Sequence, residues 1–214
     1  MNWRVAVLSI VLMLAAQPAI NLIADINSKM SLPAFMSDIE TWMQQMEEAN
    51  KQTTEALMAT TSIGGVLANV LVIGLLAAMS EELLFRGALQ GLFGRRLEYP
   101  NYSTPHAAIW VTAILFSLMH LQFYGFIPRM LMGALFGYVL VWTGSLWVPI
   151  LMHFVNNGSV VIVYAIMHHR GVDMDALETM GTGSTWWLGV ISLIVVCTLI
   201  YLLKKNKDYG EVYL

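Results

Sequence analysis

Ser80-Glu81-Glu82-Leu83-Leu84-Phe85-Arg86-Gly87 puts two carboxylates and a guanidinium directly behind the apolar run Val66-Leu67-Ala68-Asn69-Val70-Leu71-Val72-Ile73-Gly74-Leu75-Leu76-Ala77-Ala78-Met79. A charge at bilayer depth costs about 2.5–3.5 kcal/mol on insertion scales. Three such residues beside a lipid-soluble run either pair within a buried site or mark the point where a helix leaves the membrane. The surrounding chain has the same character: 57% of its 214 residues are hydrophobic and 12% charged, against about a quarter charged in soluble domains. The pattern predicts an all-α, polytopic transmembrane helix bundle of about six spans with one amphipathic interfacial helix. No basic cluster points to nucleic acid. The lone cysteine, Cys197, lies in an apolar run; it excludes a disulfide framework and reads as inert packing.

Outward from that stretch, residues 3–24 are apolar enough to span, with Arg4 ahead of them and Asn21 and Asp25 near the far end. A cleaved signal peptide is the competing reading; Pro18 and the lack of a clean small-x-small site weigh against it. Residues 25–62 are the long polar segment. Within it Leu32, Phe35, Met36, Ile39, Trp42, Met43 and Met46 recur at three- and four-residue steps. They form one apolar stripe on a helix begun by Ser31 as N-cap, with Pro33 in the first turn. Asp38, Glu40, Glu47, Glu48 and Lys51 lie opposite, so apolar burial rather than attraction to anionic lipid would hold this helix at the interface. A plain spacer is the alternative.

Further spans are expected over 63–92, 107–121, 128–142, 146–167 and 186–203. Gly133 and Gly137 form a small-xxx-small step that permits close helix approach. The chain divides into an N-terminal anchor with an extracytoplasmic amphipathic helix (1–62), a core (63–203) and a tail (204–214). Arg4, Arg95, Arg96, Lys204, Lys205 and Lys207 collect on one side and most acids on the other. The positive-inside rule then puts both termini of this integral membrane protein in the cytoplasm.

On a helix Glu82 and Arg86 share a face and neutralise one another. Glu81 points about 100° away and has no partner at that spacing, which leaves it free as a general base. Alternatively, both glutamates are helix-end residues that meet water. His153 and Asn157 share a face of a second span, and His120 closes a third, one turn after Phe116. A carboxylate, two imidazoles and an amide suit hydrolysis of a carbonyl: activated water attacks and polar donors hold the oxyanion. The chain contains no His-Glu-x-x-His and no Gly-x-Ser-x-Gly. A zinc site built from Glu81, His120 and His153 stays open as a cofactor reading.

Taken in order, Glu81-Glu82-x-x-x-Arg86, Phe116-x-x-x-His120 and His153-x-x-x-Asn157 resemble the CAAX protease and bacteriocin-processing family of intramembrane proteases, which includes the type II CAAX prenyl endopeptidases. The resemblance covers 63–159 and leaves out the chain through Ser62. It implies an endopeptidase acting on a membrane-associated or lipidated peptide near the cytoplasmic side, with membrane lipid and that substrate as partners. It also implies that Glu81 and His120 activate water, that His153 and Asn157 hold the oxyanion, and that Glu82 and Arg86 support them. The family is commonly labelled a metalloprotease group, while the glutamate-dependent reading needs no metal. Two other functions use the same residues: a non-catalytic scaffold or bacteriocin-immunity protein, and a small proton-linked transporter.

One geometric demand follows. In upright helices His153 lies about 10 Å, and His120 about 22 Å, from the inner ends of their spans. A shared site then requires tilt, a short third span, or a re-entrant break within 87–105, and such a break is predicted.

Overall fold

Apolar helices in lipid bury little and satisfy their own backbone groups, and the computed structural model follows that rule over the residues it describes: 2–60, 62–97, 105–172, 177 and 179–205. Among them every regular element is helical. Helix α1 is Trp3–Ser28; it starts at Asn2, whose side chain accepts the Arg4 backbone N–H, and carries Pro18 inside it. A 3₁₀ turn, Ala34–Met36, leads into α2, Ser37–Met58. Ser31 is therefore not the N-cap expected from the sequence. The residue before a proline is pushed away from the helical region, so Leu32 cannot open a helix and winding begins only after the extended Pro33. The apolar stripe of α2 is split: Leu32, Met36, Met43 and Met46 are half-buried, while Phe35, Ile39 and Trp42 stay exposed.

The opening stretch lies in one continuous helix, α3, over 63–97, capped by Ser62, which accepts the Gly65 N–H. Two π-helical turns, Val70–Leu76 and Leu83–Leu89, flank its α-helical Ala77–Glu82 segment. Such turns recur at functional sites because they re-aim side chains within a helix. Leu67, Leu71, Val72, Leu76, Leu83 and Leu84 face outward along it. The helix neither ends near Leu92 nor breaks at Gly87, which corrects the expectation of a break there; the remainder of that stretch, 98–104, lies outside the described residues. The shared site forms nonetheless: His120, just after α4 (His106–Met119), and His153 both come within 4 Å of Glu81.

Helix α5, Phe126–Thr143, stops at Gly144, and α6, Trp147–Arg170, stops at Gly171; both glycines are left-handed at φ 62° and 64°. That conformation closes a helix at little cost only without a Cβ. Helix α7 is Trp186–Lys205. The six apolar elements are thus present: five are long and apolar enough to cross a membrane, and α4 is the short one.

Helices α1 and α7 pack antiparallel, tied by Ser192 Oγ, which donates to the Ala15 carbonyl and accepts the Ala19 N–H. The main core draws Val5, Leu12 and Met13 from α1, Phe136 and Val139 from α5, Val148 and Met152 from α6, and Leu203 from α7. Cys197 is exposed on the outer face of α7 rather than packed inside, because its side of that helix faces away from α1.

Gly133 and Gly137 act as their spacing suggests. Arg86 Nη2 donates to the Gly133 carbonyl at 2.9 Å and Gln90 Nε2 to the Gly137 carbonyl at 3.2 Å. The equal offset shows α3 and α5 running parallel in one register. A Cβ at 137 would stand 2.7 Å from Gln90 Oε1 and 3.0 Å from Ile109 Cγ2. Gly137→Ala is therefore expected to cost about 1–3 kcal/mol through overpacking, read as a lowered unfolding midpoint in detergent. An unchanged midpoint would contradict so close an approach.

Candidate active site

Glu82 is fully buried and Arg86 is 1% exposed. Glu82 Oε1 accepts from Arg86 Nη1 at 3.0 Å and stands 2.9 Å from His153 Nδ1. The pair expected from spacing therefore has a third member. Arg86 is enclosed by aromatic rings, its guanidinium carbon 4.5 Å from the Phe116 centroid and 5.4 Å from that of Phe136. These π faces and the Gly133 carbonyl stabilise a charge that has left water. His153 in turn stacks on Phe136, with centroids 5.4 Å apart.

Glu81, one residue earlier, points elsewhere. Its Oε2 lies 3.8 Å from His120 Nε2 and 3.9 Å from His153 Nε2, and it has no protein hydrogen-bond partner among the described residues. Those separations exceed a direct hydrogen bond and are each within the span of one bridging water. His120 is held by its other nitrogen, 2.8 Å from the Phe116 carbonyl. A carbonyl only accepts, so Nδ1 of His120 carries the proton. The carboxylate of Glu82 likewise draws the proton of His153 to Nδ1. With both imidazoles neutral, the two Nε2 atoms and Glu81 Oε2 are all acceptors facing one point. Such a cluster is satisfied by a water donating two protons together with one further proton held on a ring or on Glu81.

Asn157, the fourth expected residue, borders the same cavity; its Nδ2 donates to the Ile73 carbonyl at 3.1 Å and its Oδ1 accepts from Asn156. Each of the two amides keeps one N–H uncommitted. All six residues singled out in the sequence are thus brought together, from α3, α6 and the end of α4.

The donor spacing bears directly on the zinc reading. Zinc at 2.0–2.1 Å from each of three tetrahedral ligands sets donor atoms about 3.3–3.4 Å apart, whereas Glu81 Oε2 is 3.8 and 3.9 Å from the two imidazoles. Among the described residues no group of three or more such ligands is arranged to hold a metal. As placed, the donor set does not fit that ion.

Residues 63–159 match the family model described as type II CAAX prenyl endopeptidase Rce1-like. This stretch is similar to the CAAX protease and bacteriocin-processing family. The chain is also similar to the uncharacterized protein YpbD of Bacillus subtilis, 29% identical over 106 residues, 48% of this chain and 49% of that protein. It is 32% identical over 94 residues to the membrane-embedded CAAX protease MroQ of Staphylococcus aureus, 44% of this chain and 38% of that one. These matches span less than half the length of either curated relative. No solved structure matches the chain.

His120, His153 and Asn157 line a cavity of about 300 Å³ that Met58, Ile73, Phe116, Arg129 and Asn156 also border. Met58, the last residue of α2, places that helix at one edge of the cavity, at the end of the bundle opposite Trp3 and Lys205. Three contacts fix that placement: Asn50 Nδ2 reaches the His120 carbonyl, Gln44 reaches the Tyr124 hydroxyl, and Asn27 Oδ1 accepts the Ile127 N–H. In the orientation expected from the charges, with both termini cytoplasmic, that edge lies away from the cytoplasm, the reverse of the side implied by the family resemblance.

Two polar side chains here are not evident as site residues in the sequence. Gln90 is buried one turn past Arg86 and continues its face. Arg129 lies in the first turn of α5. It does carry a signal: a cation at a helix N-terminus opposes the macrodipole and needs another reason to be there.

Burial beneath the 120–125 loop raises the Glu47 carboxyl of α2 above its ordinary 4.5, against the opposing pull of the Tyr124 backbone and of Arg129. A carboxyl raised in the docked state contributes most below its ordinary pKa, and that contribution is lost as pH rises through the raised value. Hydrogen exchange along α2 should therefore quicken with pH beyond the intrinsic chemical rate, and Glu47→Gln should flatten the dependence. An identical profile in the variant would assign the docking to other contacts.

Proposed function

We propose that this protein is an intramembrane endopeptidase that hydrolyses a peptide bond of a membrane-associated or lipidated substrate with water activated at Glu81. The observation that carries the reading is Glu81 Oε2 within 4 Å of the Nε2 atoms of His120 and His153, two imidazoles that line a half-enclosed cavity. The similarity to a family of CAAX proteases supports it.

In this reading a water placed among the three atoms gives a proton to Glu81, with His120 as second acceptor, while its oxygen attacks the scissile carbonyl. The carbonyl oxygen gains the charge. His153 stabilises it only with a proton on Nε2. The free N–H of Asn157 or of Asn156 is the second donor. The tetrahedral adduct collapses as the C–N bond breaks, and the proton held on Glu81 passes to the leaving amine. The products are a carboxylic acid and an amine, which share out the remaining proton as carboxylate and ammonium, and no metal takes part. With the termini cytoplasmic, the substrate enters from the opposite face, under α2.

The test uses the purified full chain in lipid nanodiscs with a quenched-fluorescent pool of apolar peptides in water enriched in ¹⁸O. The expected result is new C-termini carrying one ¹⁸O, at a rate unchanged by dialysis against EDTA. Absence of hydrolysis across pools of varied sequence overturns the reading; a rate abolished by EDTA and restored by zinc overturns its metal-free form.

A further inference from the structure

Arg129 is the strong charge in the cavity that the reaction above does not use. It borders the same space as His120 and His153. Its guanidinium is tethered by a neutral group: Nη2 donates to Gln122 Oε1 at 2.5 Å and Nη1 approaches the Gln122 carbonyl at 3.4 Å. Among the described residues no carboxylate comes within 4 Å of it. It stands at the positive end of α5, so the helix does not account for it. The chain makes room for it at Gly125, where a Cβ would come within 3.1 Å of Nη2.

Two acids act on it from a distance. Glu81 Oε2 lies beside the two imidazoles, 3.8 and 3.9 Å from their Nε2 atoms. Glu47, from α2, has a buried Oε2 without a hydrogen-bond partner, and its burial disfavours the ionised form. Neither acid is a committed counter-ion, so the guanidinium's charge is left facing the peptide space. Arginine in this state pairs best with a planar, two-oxygen anion.

We propose that Arg129 is a specificity-determining residue that receives a carboxylate of the peptide substrate, either its C-terminus or an acidic side chain close to the scissile bond. The inference rests on the endopeptidase reading for the identity of the ligand, though not for the presence of the anion subsite. Gln122 holds the guanidinium in place. The apolar slot beside it, about 90 Å³ between Trp42, Met43, Leu118, Leu121 and Phe126, lies where neighbouring apolar side chains of the same peptide would sit.

The test compares three versions of one fluorescent pool of randomised apolar octapeptides: free acids, C-terminal amides, and amides carrying one internal Asp. Binding is read by anisotropy on Glu81→Gln protein in nanodiscs, and cleavage on the parent. The free-acid pool, the Asp pool or both should bind about tenfold or more tighter than the amide, and which of them does so identifies the carboxylate. Arg129→Gln should reduce that preference to about twofold or less, with the change in KM rather than kcat, and Arg129→Lys should retain part of it. Equal binding of all three pools to the parent site overturns the proposal and needs no variant to fold. It is also overturned if the preference survives in Arg129→Gln, or if kcat falls equally for all pools. A carboxylate preference in binding with no cleavage of any pool leaves the subsite standing and removes the protease reading instead.

Discussion

Glu81→Gln is expected to lower peptide hydrolysis by about 10²–10⁴-fold, the range of a positioned general base, with no loss of folding stability. The two halves of this expectation have one cause. Glu81 Oε2 makes no protein hydrogen bond, and its side chain keeps 21% of its surface exposed toward the cavity. Replacing the carboxylate by an amide of equal shape removes the acceptor for the water's proton and breaks no packed contact. The substitution also relieves a partly buried charge, so the unfolding midpoint should hold or rise, the usual mark of a group kept for function against stability. The measurement pairs initial rates on a cleavable pool with thermal unfolding in the same detergent. A variant with the parent rate would remove Glu81 from the mechanism.

Arg86→Leu should behave in the opposite way, losing about 3–5 kcal/mol of stability, the cost of breaking a buried ion pair from one side. The guanidinium connects four neighbours at once. It bonds Glu82 and the Gly133 carbonyl and lies over the rings of Phe116 and Phe136. Leucine leaves Glu82 as a buried carboxylate whose remaining partner is His153, and it leaves the Gly133 carbonyl without its donor. Because the same Glu82 oxygen orients His153, activity should fall as well, but only as a consequence. A double replacement, Glu82→Gln with Arg86→Leu, should recover part of the stability by removing the orphaned charge, and little of the activity. Unfolding by denaturant in mixed micelles measures both. A single Arg86→Leu variant as stable as the parent would mean that the pair contributes nothing to the fold.

Much of this site is legible in the sequence because α-helices make four-residue spacing a statement about neighbours. Glu82 with Arg86 and Phe116 with His120 are contacts along one turn, and they are found where the spacing puts them. Gly133 with Gly137 is legible for a related reason: small residues one turn apart have few uses in lipid other than close approach. The start of α2 is misleading because Ser31 has cap chemistry, while control lies with Pro33 acting on the residue before it. The long helix through Gly87 is misleading because glycine weakens helices in water, whereas lipid penalises a break more heavily than glycine's flexibility. Arg129 shows in the sequence only as a charge near the start of a span, because its neighbours Gln122 and His120 come from another turn of the chain.

What the amino-acid sequence determined by itself is the class of molecule and the separation of roles within its charged stretch. An apolar, charge-poor chain must become membrane helices, and four-residue periodicity pairs Glu82 with Arg86 while leaving Glu81 over. Which partners complete those roles was decided by the tertiary structure. The packing of α4 and α6 against α3 brings both His120 and His153 to Glu81. Glu82 holds His153 as well as Arg86, and Met58 of α2 borders the cavity. The physical reason is range. Spacing along one helix is set by the local backbone, but the depth of one helix against another is set by packing between residues far apart in the chain.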